Sequence, residues 1–248
     1  MKVITICDHK GGVAKTTTAA AIAQGIEKLH PKAKVLLIDA DPQGTATKSF
    51  YGIKKPVPGL FQVLIGKKDI NSVIIQTEAG DILPYEAELI RLDSKLKDQN
   101  KALKEALKYL DGYTHVIVDT SPYFNLANVM ALTASDIVII PVGAKPETVE
   151  SLPESLITIL RVREKLNPGM EIGGAVFTNY DGRSNVVKQY AELVEDICKR
   201  NGIRILTTRV RACSAINEAH ALKENLFKYA PRSNAVKDYT DIIKELKL

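Results

Sequence analysis

The first eighteen residues leave this chain little choice of fold. Residues 2–7, Lys-Val-Ile-Thr-Ile-Cys, are a short apolar and β-branched run that predicts a buried strand. Asp8, His9, Lys10, Gly11 and Gly12 interrupt the run, and a helical stretch opens at Val13-Ala14-Lys15-Thr16-Thr17-Thr18. A strand, a glycine-bearing loop and Lys-Thr at a helix start form the arrangement that cradles a nucleoside triphosphate. Glycines let the backbone approach phosphates and turn its N–H groups inward. The helix N-terminus adds partial positive charge. In such a loop Lys15 reaches the β- and γ-phosphates, and the Thr16 hydroxyl ligates Mg²⁺. The candidate nucleotide-binding set is therefore Lys10, Gly11, Gly12, Val13, Ala14, Lys15, Thr16 and Thr17.

The ordinary pattern, G-x-x-x-x-G-K-[ST], wants glycines where this chain has His9 and Ala14. The loop instead reads Lys10-Gly11-Gly12-Val13-Ala14-Lys15-Thr16, with a second lysine at its start. These residues resemble the deviant Walker A loop of the ParA/MinD ATPases. Alanine at position 14 is tolerable with a helical φ, and that is the expectation.

The rest of the chain repeats one theme. Residues 34–39, 114–119 and 136–141 are near-continuous apolar runs, the kind that a parallel sheet covered on both faces requires. A further strand is predicted at 172–178 and short ones near 82–83 and 204–207. Helices are expected to about residue 29, around 60–65, within 86–110 as one amphipathic stretch, and over 125–133, 147–166, 184–201, 214–223 and 233–246. Strands alternating with helices predict an α/β fold, a single doubly wound, mostly parallel sheet with helices on both faces. Without repeats or linkers, residues 1–248 read as one domain. Three cysteines, odd in number and without C-x-x-C spacing, support neither disulfides nor an iron–sulfur site and fit a reducing cytoplasm. No apolar run approaches the roughly 18–20 residues of a membrane span. The net charge of +5 lies mostly in the last hundred residues and permits nucleic-acid contact without demonstrating it.

Two carboxylates end predicted strands. Asp119 closes an apolar run in the Walker B manner, where it would hold Mg²⁺. Asp39-Ala40-Asp41-Pro42-Gln43-Gly44 ends another, at a strand's carboxyl end where α/β proteins bind ligands. The resemblance implies that Asp41 positions the attacking water and that Asp39 supports the metal region. It also implies a catalytic set of Asp41, Lys10 and Lys15, with Lys10 reaching the nucleotide of a second subunit in an ATP-dependent homodimer. Ser121-Pro122-Tyr123 stand where the family usually has Pro-Pro-Ser.

The resemblance extends through residues 178–183 to Tyr229-Ala230-Pro231-Arg232-Ser233, which look like ParA/Soj features. It implies a slow Mg-dependent ATPase of the cytoplasm and nucleoid, without an N-terminal DNA-binding domain. Such ATPases segregate plasmids or chromosome origins, bind double-stranded DNA without sequence preference, and are released when a ParB-type partner stimulates hydrolysis. Asn179 and the backbone near residues 207–210 would frame adenine. Arg209, Arg211, Lys188 and Arg204 are the candidate DNA contacts, with Lys199 and Arg200 on the same face. Two rivals remain open from sequence. One is a MinD-like ATPase using the stripe Val236, Tyr239, Ile242, Ile243 and Leu246 on a membrane, although a helix docked on the sheet uses that stripe equally well and no stable membrane association is expected. The other is a DNA clamp that binds ATP without hydrolysing it.

Overall fold

The computed structural model describes residues 1–92, 96 and 99–248. Within them a seven-stranded sheet runs in the order β3-β4-β2-β5-β1-β6-β7. Its strands are β1 (Lys2–Ile6), β2 (Val35–Ala40), β3 (Ile75–Thr77), β4 (Gly80–Leu83), β5 (His115–Thr120), β6 (Ile137–Val142) and β7 (Glu171–Phe177). All pairings are parallel except β3 with β4. The expected fold class is the observed one. The antiparallel edge strand was not expected: three residues and a tight turn at Gly80, φ +132°, carry too little pattern to read.

The apolar runs are continuous because alternate side chains enter different cores. In β2, Leu37 joins one cluster while Leu36 and Ile38 join another. In β6, Ile137 and Ile139 face one side, and Val138, Ile140 and Val142 the other. The first face is covered by α1 (Lys15–Leu29), which contributes Ala19, Ile22 and Ile26, and by the C-terminal helices. The opposite face carries the remaining helices. They are α2 (Leu60–Leu64), α3 (Ala102–Ala106), α4 (Leu126–Ala134), α5 (Pro146–Lys165) and α6 (Asn185–Arg200). The chain then returns through α7 (Ser214–Leu222), α8 (Leu226–Tyr229) and α9 (Asn234–Leu246). Polar caps start several helices where expected. Asn125, Ser184 and Ser233 accept the backbone N–H of Asn128, Val187 and Val236, satisfying donors the helix cannot.

Two elements differ from expectation. The amphipathic helix predicted within 86–110 is a 3₁₀ turn at Ala87–Arg91, then α3 and a second 3₁₀ turn at Leu107–Tyr109; part of the stretch lies outside the described residues. Leu89, Leu92, Leu96, Leu103 and Leu107 are buried, but residues 97–101 offer no apolar side chain to carry a helical stripe across the gap. The strand at 204–207 is a single bridge of Ile205 to Ala175. Beyond it the N–H groups of Thr207 and Thr208 turn to the Glu245 carboxylate.

The stripe on α9 is buried. Tyr239 and Ile242 are fully enclosed, Ile243 and Leu246 nearly so, against α1. That packing accounts for the apolar face without a membrane. Among the described residues no helix is long and apolar enough to cross one.

Candidate nucleotide and metal site

The topology reverses its direction at β1. The connection β1–α1–β2 passes to one side over one face, while β5–α4–β6 crosses β1 to the other side over the opposite face. The carboxyl ends of β1, β2 and β5 therefore open onto a crevice at the switch point, where ligands bind in sheets of this kind. Gly11, Gly12 and Ala14 line it after β1 and Asp41 after β2, while Asp39 and Asp119 end β2 and β5 as buried carboxylates beside it. Asp39 and Asp119 are direct register partners on adjacent strands. Strand alternation turns both toward the face that α1 covers.

At the helix start, Lys15 is 7% exposed and its ammonium donates to the Lys10 carbonyl at 2.7 Å, spanning the loop mouth. Burial lowers its pKa, and the charges of Asp8 and Asp119 act the other way. The loop is pinned on its far side as well, since Thr178 Oγ1 donates to the Val13 carbonyl at 3.1 Å. Ala14 departs from expectation. Its φ of 60° and ψ of 34° are left-handed, not helical, so the motif's missing glycine leaves a methyl group where L-residues are strained by about 1–2 kcal/mol. The position is fixed by its neighbours, because the Ala14 carbonyl accepts the first helical N–H of Thr18 while Val13 is buried.

A cavity of about 380 Å³ lies over the loop, lined by Gly11, Gly12, Lys15, Thr16, Asp41 and Thr120 among others. A second, of about 590 Å³, shares Gly12, Ala14 and Thr17 and extends to Thr178, Asn179 and Val210. Together they make one elongated site, wide at the end where Asn179 stands, with φ 51°. Phe50 and His220 stack with ring centres 4.0 Å apart at the wall of the first cavity. Neither was legible in sequence: they are 170 positions apart, and no local pattern links them.

The carboxylates divide their tasks. Asp119 is fully buried and, among the described residues, no donor meets hydrogen-bond geometry at either of its oxygens, the Thr16 hydroxyl coming nearest to doing so. Burial, with the Asp39 charge beside it, pushes its pKa well up. An orphaned anionic oxygen pair is costly, and a hard divalent cation removes the cost. The residues present thus fit Mg²⁺ held between Asp119 and the Thr16 hydroxyl. Asp39 is also fully buried, but its oxygens accept from Thr47 N at 2.8 Å, Thr47 Oγ1 at 2.6 Å and Asp41 N at 3.2 Å. Burial still raises its pKa to about 6. The carboxylate placed by sequence near the metal is occupied in tying Asp41 and the π-helical turn Ala46–Phe50 to β2. Thr47 was missed, since nothing in a Thr-Ala-Thr-Lys stretch marks one threonine as the partner of an aspartate eight residues back. Asp41 is 6% exposed and its Oδ1 accepts from Gln43 N at 2.9 Å, which sets the turn that carries it over the cavity. After Asp119, Asn128 donates its amide to the Ser121 carbonyl at 2.9 Å and fixes the next loop.

Lys10 is half-buried, and its ammonium makes no hydrogen bond or ion pair among the described residues. The basic residues nominated for DNA are placed differently from one another. Arg211 grips the buried Asp238 through Nε, an Nη atom and its backbone N–H, at 2.6–3.0 Å. Arg209 pairs with Glu195 at 2.7 Å and lies over the Phe177 and Tyr180 rings. Arg204 donates to the Gly173 carbonyl, and Arg200 pairs with Asp196. Lys188 on α6 is exposed and makes no ion pair among the described residues.

Comparison with known proteins fits this geometry. Residues 1–172 match the AAA domain family. The chain is 32% identical over 253 residues to the sporulation initiation inhibitor protein Soj of Bacillus subtilis, covering 99% of this chain and 98% of that one. It is 30% identical over 255 residues to the chromosome partitioning protein ParA of Caulobacter vibrioides, covering 99% and 94%. A solved structure of a cobyrinic acid a,c-diamide synthase from Mycobacterium smegmatis, with bound ATP analogue and magnesium, superposes with a TM-score of 0.81 at 28% identity, covering 97% of this chain and 92% of that one. Similarity to the partition proteins runs nearly end to end on both sides of the alignment, and the loop with two lysines lies inside the AAA match. The chain belongs to the ParA/Soj-type partition ATPases.

Proposed function

We propose that this protein is an Mg²⁺-dependent ATPase that moves DNA at partition, switching between a nucleotide-bound homodimer that holds double-stranded DNA and a released monomer. The observation that carries this reading is the buried Asp119 carboxylate, which feels the Lys15 charge and lies next to Thr120 in the wall of the cavity that Lys15 and Thr16 line. The bound nucleotide and magnesium of the solved neighbour support the same ligands here. Lys15 and the loop N–H groups hold the β- and γ-phosphates, Asn179 and the backbone near Val210 border the base end, and Asp41 orients the attacking water. Thr16 and Asp119 would hold magnesium, which would supply positive charge against that of the phosphates, while Asp39 acts through Thr47 and the Asp41 turn.

The Lys10 ammonium, unpaired among the described residues and next in the chain to the cavity-lining Gly11, is the group that would reach the nucleotide of a second copy. A γ-phosphate that it touches adds to the dimer's stability and its loss subtracts, which is what a switch requires. Hydrolysis by the protein alone is slow, because among the described residues no arginine lines the phosphate-end cavity to supply the charge that elsewhere contributes roughly 10³–10⁵ in rate; a basic segment of a ParB-type partner would supply it at the nucleoid. Cargo class, plasmid or chromosome, follows from which partner is cognate.

The test is sedimentation and DNA retention with a non-hydrolysable ATP analogue, with ADP and without nucleotide. Wild type should dimerise and retain plasmid DNA with the analogue only, and Lys10→Ala should bind the analogue yet stay monomeric. Equal retention in all three states overturns the reading.

A further inference from the structure

Three strands, not two, deliver an aspartate to the crevice. Asp8 stands two residues past the end of β1, and the phosphate-loop reading gives it no task. It is fully buried. Its Oδ1 accepts from Ser155 Oγ at 2.6 Å and from Lys10 N at 3.3 Å, while Oδ2 is enclosed with no partner. Ser155, itself fully buried in the middle of α5, also accepts the His9 N–H at 3.1 Å. A serine on the far face thus clips the start of the loop to α5, and one carboxylate oxygen is left without a partner at the root of the phosphate loop. His9 packs its ring against Phe124, 4.8 Å between centres. That contact joins the clip to the loop following Asp119. Asp8 is absent from the walls of both cavities.

We propose that Asp8 is a positioning residue that also weakens nucleotide binding: its buried carboxylate orders the phosphate loop through Ser155 while opposing, by its charge, the phosphates bound above it. The inference rests on the proposed ATP site. A buried anion beside an anion-binding loop competes with the ligand for the field of Lys15, the cation of α1 that feels it. At an effective dielectric of about 20, a unit charge about 12 Å from another changes binding about tenfold. The weakening has a purpose in a switch, since a nucleotide held too tightly after hydrolysis would not leave.

The charge depends on pH. The groups facing Asp8 are Lys15 from α1, Cys7 at the end of β1, His9 and the Lys10 backbone in the loop, Ser155 from α5 and Cys198 from α6. Burial raises the Asp8 pKa above the usual carboxylate value, with the Ser155 and Lys10 hydrogen bonds and Lys15 opposing. A bound polyphosphate raises it further. Protonation as pH falls removes the opposing charge, so the weakening is present at high pH and lost toward acid.

The experiment compares wild type and Asp8→Asn, which keeps the shape and the Ser155 contact but not the charge. Binding of a fluorescent ADP analogue is titrated from pH 5 to 8. The expected result is binding about tenfold tighter in Asp8→Asn at pH 8, with the two proteins converging as pH falls and the melting temperature unchanged or higher. Equal affinities at every pH, or weaker binding by Asp8→Asn, overturn the proposal. Ser155→Ala removes one of the donors that keep Asp8 ionised and leaves the loop sequence intact. It should extend the tight-binding range to higher pH, and no change in that range counts equally against the proposal. Wild type that binds no adenine nucleotide at any pH would instead refute the ATP site itself, a separate outcome.

Discussion

Position 14 concentrates what is unusual about this phosphate loop. A glycine there would be free to adopt φ near 60°, whereas Ala14 adopts it against its own preference. The strain is sustained because the residues on either side are anchored: Thr178 holds Val13, and the Lys15 ammonium is held by the Lys10 carbonyl. Ala14→Gly should therefore relieve more energy in the folded loop than it adds in unfolded-state entropy. The expected gain is about 0.5–1 kcal/mol, or a rise of about 2 °C in the nucleotide-free melting temperature for a chain of this size. Calorimetry without nucleotide checks it, and a lower melting temperature would mean that the loop carries no strain at this residue. The sequence showed the substitution but not its conformation, because φ at a single residue is set partly by an anchor, Thr178, more than 160 positions away.

At the scale of elements, the close approach of α1 to the C-terminal helices is what keeps the phosphate loop's helix in place. Gly25 makes that approach possible. A Cβ at this site would overlap Ile243 Cδ1 of α9 and come within 2.7 Å of the Phe227 ring of α8. Helix propensity alone favours Gly25→Ala by about 1 kcal/mol. The rigid, buried Phe227 ring makes overpacking the larger effect, at about 1–3 kcal/mol, so the net expectation is a loss of about 1 kcal/mol and a lower urea midpoint. Elements of this kind were legible to different degrees. Strands β1, β2, β5 and β6 could be read because burial on both faces erases polar residues from the run, and an aspartate at such a strand's end stands out. Asp39 and Asp119 looked equivalent by that rule, yet Thr47 occupies one and, among the described residues, no donor meets hydrogen-bond geometry at the other. Asp8 obeys the same rule and passed as a loop breaker. The stretch at 86–110 had a helix's composition without a continuous stripe, and the edge strand β3 was too short to show a period.

Across the whole molecule, a modest basic excess has to be divided between charges that hold the fold and charges that can meet a phosphate backbone. Counting arginines near the C-terminal half cannot make that division, since the acidic partners lie 14 and 27 residues from Arg209 and Arg211. The structure separates them. Arg211 neutralises Asp238, which is 4% exposed on the helix docked against α1, so removing the arginine leaves a buried carboxylate without its cation. Lys188, exposed and unpaired among the described residues, would be available to displace counterions from the proposed DNA ligand. Arg211→Ala should accordingly lower the melting temperature by several degrees and weaken DNA binding only as far as it unfolds the protein. Lys188→Ala should leave melting unchanged, weaken retention of plasmid DNA in the presence of the ATP analogue, and reduce the slope of log affinity against log salt by about 1 if it neutralises one phosphate. The slope is the decisive reading, because a loss of fold scales every affinity together and leaves the slope as it was, whereas a lost phosphate contact changes it. If Lys188→Ala keeps the wild-type slope while Arg211→Ala lowers it at full stability, the DNA face lies along the Arg211 edge of the base-end cavity and not on α6.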